Sequence, residues 1–221
     1  MPFAAGHSHN KMIDPALQQY IEEQIVPRYL LFDKAHNIDH VRQVMNDSLQ
    51  LATHYPQVNL NMVLVIAAYH DLGLCEGREL HHIVSARICR ADTTLLRWFD
   101  PSQIETMCDA IEDHRASSDH APRTLYGMLV AEADRVISSS TTLLRTVQYG
   151  LAHHPQLDRE GQYARFKAHL ERKYAQGGYL KLWIPHSPNA ARLEELRALI
   201  ADEERLRPYF DTLYNQETAH S

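Results

Sequence analysis

The sequence predicts an all-α fold, a single helical bundle with further helices added at its C-terminal end. Three observations carry this. Leu, Ala, Glu, Gln and Arg are plentiful while glycine is scarce, 8 in 221 residues, a composition that favours helices over a sheet. Apolar residues recur at helical spacing along most of the chain. No pair of strand-like segments is visible. A chain of 221 residues is long enough for one sizeable core and short for two independent domains. We therefore read 1–221 as one domain, with its core over 33–137 and a C-terminal helical extension over 138–221.

The elements follow in order. Asp14-Pro15 reads as an N-cap followed by proline at the first helical position, and Leu17, Ile21 and Ile25 continue at helical spacing until Pro27 perturbs the pattern; this helix ends near Phe32. A second helix over 39–55 turns Val41, Val44, Ser48, Leu51 and Ala52 inward, and Pro56 stops it. The third, 59–72, is apolar almost all round, which predicts a buried central helix. Helices are predicted over 80–91, over 101–115 behind an Asp100 cap, and over 122–137. The segments 141–153 and 158–175 look amphipathic, Gly177-Gly178 is a stop, and Ser187-Pro188 opens one last long helix to about 215.

Composition excludes several classes of function. Residues 1–11 lack an apolar signal core, and the longest apolar run falls far below a bilayer span, so a soluble, non-membrane protein is expected. Cys75, Cys89 and Cys108 are odd in number and widely spaced, which suggests neither a disulfide framework nor a thiolate zinc site and fits a reducing cytoplasm. A net charge of −6 without any Lys/Arg run argues against a nucleic-acid polymer as partner and for a small substrate. A homodimer is left open. His153-His154 and His7-Ser8-His9 have no acids at useful spacing, and Ser138-Ser139-Ser140 lacks a nucleophile-elbow context.

The most informative stretch is Ala67-Ala68-Tyr69-His70-Asp71, two ligand-type residues ending a run that is otherwise apolar. The pair alone is weak, because 15 His and 14 Asp in 221 residues give about one adjacent His-Asp by chance. Its company is what counts. Upstream, His40 opens a helix after the loop Asp33-Lys34-Ala35-His36-Asn37-Ile38-Asp39; downstream, Asp134 shares a stripe with Val130 and Ile137 on another apolar helix. A buried aspartate needs a cationic partner, so Asp134 awaits either an arginine in a core salt bridge or a metal. Three helices, each offering imidazole or carboxylate on an apolar face, favour the metal. Without thiolates, that set suits Mn, Fe, Co, Ni or Zn and does not choose among them.

The order His40, His70-Asp71, Asp134 on separate helices resembles the HD-domain superfamily of metal-dependent phosphohydrolases, over roughly 35–137. His36, four residues before His40, and Asp134-Arg135 fit the same pattern. The resemblance implies an all-α metal-binding core in which His40, His70, Asp71 and Asp134 are ligands. Its binuclear branch adds two histidines, for which His81 and His114 are the candidates and His82 the fallback; one or two ions are therefore expected. A helix-end histidine favoured by the dipole is the plain alternative for His114.

A metal on such ligands keeps room for water and a phosphoryl oxygen and lowers the pKa of that water. Asp71 would bind metal and bridge two ions where both are present. Lys34 and Arg115 are the candidates for leaving-group and phosphate contacts, with Arg78 and Arg135 behind them, and His36 and Asp39 for orienting ligands or touching substrate. The expected activity is hydrolysis of a nucleotide or another small phosphoester. Two alternatives stand beside it, a di-iron oxygenase of the same fold and an inactive metal-binding regulatory module. Three residues after the aspartate many HD enzymes carry a lysine and the alarmone hydrolases acidic residues; the run Asp71-Leu72-Gly73-Leu74-Cys75-Glu76 has neither there, which argues against an alarmone hydrolase. The stretch 153–183 lies outside the shared core and resembles the tail of other HD proteins, with structural packing as the plain alternative.

Overall fold

The structure, a computed structural model, describes residues 12–32, 36–118, 120–135 and 137–219. The described residues form helices and no strand, as the composition predicts. They divide into two compact units, 1–135 with 183–187, and 136–182 with 188–221.

In the first unit, helix α1 (Pro15–Tyr20) is capped by Asp14, whose carboxylate accepts from the amides of Ala16 and Leu17 at 2.8 and 3.1 Å. It then widens into a π segment (Ile21–Ile25) and tightens into a 3-10 segment (Val26–Leu31). Pro27 supplies the reason, since it has no amide to carry a regular α-helix onward. The irregular stretch still buries Ile21, Ile25, Val26 and Tyr29.

Helix α2 (Ile38–Ala52) starts at Asn37, whose side chain accepts from His40 N at 3.0 Å, and buries the five predicted residues together with Met45. Helix α3 (Leu60–Tyr69) is central: residues 61–69 are all buried, with α2, α4, α5 and α6 packed around it. A 3-10 turn (Leu72–Glu76) links it to α4 (His81–Ala91), and a second (Thr93–Arg97) leads to α5 (Pro101–Glu112), which opens with a full capping box of Asp100 and Gln103.

Two predicted helices are shorter than expected. The helix predicted over 101–115 stops at Glu112, and the one over 122–137 is α6 (Leu125–Asp134), begun by a Thr124 cap. Arg123 is the cause. Its backbone amide donates to Asp113 at 2.6 Å, and its guanidinium reaches Asp109, Glu112 and Asp113, so the described residues between Glu112 and Leu125 are held out of helix. The segment 183–187 returns to this unit: Ile184 is buried, Trp183 N donates to Glu132 Oε2 at 2.8 Å, and His186 stacks on His54. Nothing in the sequence announced that return.

The second unit comprises α7 (Ser139–His153), α8 (Arg159–Tyr174), α9 (Asn189–Ala201) and α10 (Glu203–Ala219) around Leu143, Val147, Phe166, Leu170, Leu196 and Phe210. The single last helix of the prediction is two. Asp202 breaks it with extended backbone and accepts from Arg205 N at 3.1 Å, a local cap that competes with continued helix.

Candidate metal centre

The site is built on a break in the central helix. Helix α3 ends at Tyr69; His70 still has helical backbone, but Asp71, at φ −110° and ψ 5°, begins the 3-10 turn. The change of helix type turns both side chains to one side of the bundle. Tyr29, wholly buried, spans the break: its hydroxyl donates to Ala68 O at 2.9 Å and accepts from Asp71 N at 3.3 Å. Burial beside the Asp71 carboxylate pushes the Tyr29 phenol well up, so it keeps its proton and remains a donor.

Gly73 brings the next helix in. A Cβ there would lie 2.0 Å from His81 O and 2.6 Å from Ser85 N, so no side chain fits, and Gly73 N donates to Ser85 Oγ at 2.8 Å. Helix α4 therefore lies directly on the turn, and His81 at its start comes within reach of Asp71.

The six candidate ligands form two groups sharing Asp71, and within each group the ligand atoms all lie within 4.8 Å of one another. In the first, Asp71 Oδ2 faces His70 Nε2 at 3.3 Å and His40 Nε2 at 3.7 Å, while Asp134 Oδ1 stands 3.2 Å from His40 Nε2 and 3.6 Å from His70 Nε2. In the second, Asp71 Oδ1 is 3.5 Å from both His81 Nε2 and His114 Nε2, which lie 3.2 Å apart. Asp134, expected to be buried, keeps a quarter of its side chain exposed. It stands at the open side of the first group.

These donors fit a metal. Donors bonded to one ion at about 2.0–2.2 Å lie about 3–4 Å apart, and the facing donors here are 3.2–3.7 Å apart. The Nε2 atoms of His40 and His70 are buried without a hydrogen-bond partner among the described residues, although carboxylate oxygens stand close by. Such atoms are costly unless something else meets them. His70, His81 and His114 each direct Nδ1 to the carbonyl three residues back, Ala67, Arg78 and Ile111, at 2.7, 2.7 and 2.6 Å. A neutral ring so held carries its proton on Nδ1 and presents the Nε2 lone pair to the cluster.

Charge follows the same division. Burial opposes ionisation of Asp71 and Asp134, but the facing imidazoles, His70 and His114 for Asp71 and His40 and His70 for Asp134, overcome it and hold both carboxyls well below the usual range. Burial would keep His70 neutral, yet the two carboxylates outweigh it and raise its pKa. His81 goes the other way: burial, and then His114 beside it, lower it to about 4, so it is a neutral ring at neutral pH.

The HD domain family model matches residues 37–138, a span holding all six of these residues. Residues 37–138 form an HD domain. No curated protein and no solved structure matches the chain. An HD domain together with this His/Asp cluster points to a metal-dependent hydrolase.

Around the HD domain's cluster the other expected residues fare differently. Arg115 is half-buried, its Nη1 donating to Glu79 O at 2.6 Å, and Arg78 is exposed with Nη2 3.4 Å from His36 Nε2. His36 in turn stacks edge-on to His40, with ring centroids 5.9 Å apart. Asp39 is exposed. Lys34 and the His7-Ser8-His9 motif lie outside the described residues. Arg135, expected to contact substrate, is buried instead and donates to the Ala131 carbonyl of its own helix, a C-capping bond of a kind cations favour. Burial, and then Arg115, lower the pKa of His82. Sequence reading missed Tyr29, Gly73, Ser85 and Arg123 as builders of the site; only Gly73, a lone glycine just after the His-Asp pair, left a visible signal.

Proposed function

We propose that the HD domain is a phosphohydrolase with two metal ions, acting on a nucleotide or another small phosphoester in the cytoplasm. One observation carries this reading: the two oxygens of Asp71 are divided between two imidazole pairs, Oδ2 towards His40 and His70 and Oδ1 towards His81 and His114. His40, His70, Asp71 and Asp134 would hold one ion, and Asp71, His81 and His114 the other. Divalent ions bound there supply Lewis-acid activation of water and neutralisation of phosphoryl charge. The chain's own part is to hold four imidazoles and two carboxylates in place, with Nδ1 of His70, His81 and His114 tied to backbone carbonyls. Arg78, through the His36 contact, and Arg115, through the loop carrying His114, support recognition of a phosphoryl group at the edge of the cluster.

The test begins with elemental analysis of protein purified without chelator, followed by phosphate release from a panel of mono- and diesters with Mn, Fe, Co, Ni or Zn. We expect about two equivalents of metal and turnover in the absence of oxygen. Oxygen consumption coupled to product, with no phosphoester turned over by any metal, would replace this reading with an oxygenase.

A further inference from the structure

We infer that Tyr29 is a positioning residue for the metal centre, its hydroxyl fixing the helix break from which His70 and Asp71 project. This rests on the reading that those two residues hold metal. In an uninterrupted α-helix the Asp71 amide would donate to the carbonyl of Ala67, four residues back. That carbonyl here accepts His70 Nδ1 at 2.7 Å, the bond that turns the His70 lone pair towards the cluster. The bond that orients His70 thus takes the acceptor that the Asp71 amide would use. Tyr29 supplies the replacement at 3.3 Å, and the same hydroxyl donates to Ala68 O at 2.9 Å, one of the carbonyls a helix end leaves without an intrahelical partner. One buried hydroxyl therefore binds the backbone on both sides of His70, and the Tyr29 ring lies 6.5 Å from the imidazole.

Tyr29 stands eight residues before the segment that the HD family model matches. It belongs to the π and 3-10 stretch following α1, whose irregular path brings Tyr29 under the end of α3. That gives the N-terminal segment a part in the chemistry that its packing alone does not.

The test compares Tyr29→Phe, which keeps the ring and removes the hydroxyl, with Ile25→Val, which trims a buried apolar side chain of the same stretch and removes no hydrogen bond. In the full-length protein, Mn²⁺ titration should show Tyr29→Phe binding roughly 10- to 100-fold more weakly at unchanged helical circular dichroism, as loss of a group supporting a ligand does. Ile25→Val should bind as wild type does. Wild-type affinity in Tyr29→Phe, or equal weakening in Ile25→Val, would overturn the assignment. Hydrogen exchange at the Asp71 amide gives a second readout without metal: it should accelerate in Tyr29→Phe, and an unchanged rate overturns the assignment as well. If the wild-type protein takes up no metal, the reading of the site fails on its own, and the exchange experiment still decides the role of Tyr29 at the break.

Discussion

A carboxylate can serve two cations because its two oxygens point apart, and in the proposed centre Asp71 uses both. Its neighbours are specialised by the bonds their far nitrogens make. Three of the four histidines have Nδ1 tied to backbone, so each, as a neutral ring, offers the cluster the lone pair of Nε2. From this division we expect His81→Ala or His114→Ala to lose one metal equivalent and keep the other, while Asp71→Ala loses both and at least about 10²-fold in activity. Elemental analysis of the three variants is the check. Full occupancy in Asp71→Ala would refute the site, and loss of both ions in His81→Ala would refute the division into two.

At the scale of elements, the site depends on how closely helices approach the end of α3. Gly73 admits α4 on one side, and the loop held by Arg123 returns His114 on another. Farther back, Asp92 ties three elements together: Oδ2 accepts from the hydroxyls of Tyr20 and Tyr69 at 2.5 Å each, and Oδ1 accepts from Thr94 N at 3.0 Å. Burial opposes its charge, but the two phenols and Thr94 prevail and hold it below its ordinary 3.8. Because the folded-state pKa is depressed, the contribution is complete above that value and is lost as pH falls through the folded one. Asp92→Asn should accordingly cost about 1–3 kcal/mol at pH 7, with the difference in Tm from wild type shrinking below about pH 4. Thermal melts between pH 3 and 7 measure it, and a gap that persists undiminished in acid would mean the ionised carboxylate is not what the tyrosines stabilise.

For the molecule as a whole, the cost of facing carboxylates and orphaned imidazole nitrogens lies in the unit that holds the cluster. An ion that binds the folded chain and not the unfolded one offsets that cost by mass action. At about one hundred times its Kd, metal should add about 2.7 kcal/mol to that unit's unfolding free energy, and chelator should remove it. Differential scanning calorimetry with and without Mn²⁺ would register this as a rise in Tm; no rise at saturation would argue against a preformed site.

The sequence by itself determined the all-α class, the buried central helix and four residues of the cluster, His40, His70, Asp71 and Asp134. Each of these is written in local patterns: apolar periodicity, proline and aspartate punctuation, and polar ligands at the end of an apolar run. Histidines 81 and 114 were legible only through a family resemblance, since a histidine at a helix end is ordinary until its neighbours are known. Other features had no local signal at all. The break of the last helix at Asp202, the return of 183–187 to the first unit, the withdrawal of Arg135 onto its own helix and the Tyr29 hydroxyl beneath Asp71 all depend on partners distant in sequence or on competition between local bonds. Tertiary structure decided them because a hydrogen bond's value depends on what else its donor and acceptor can reach, and that is fixed only once the helices have packed.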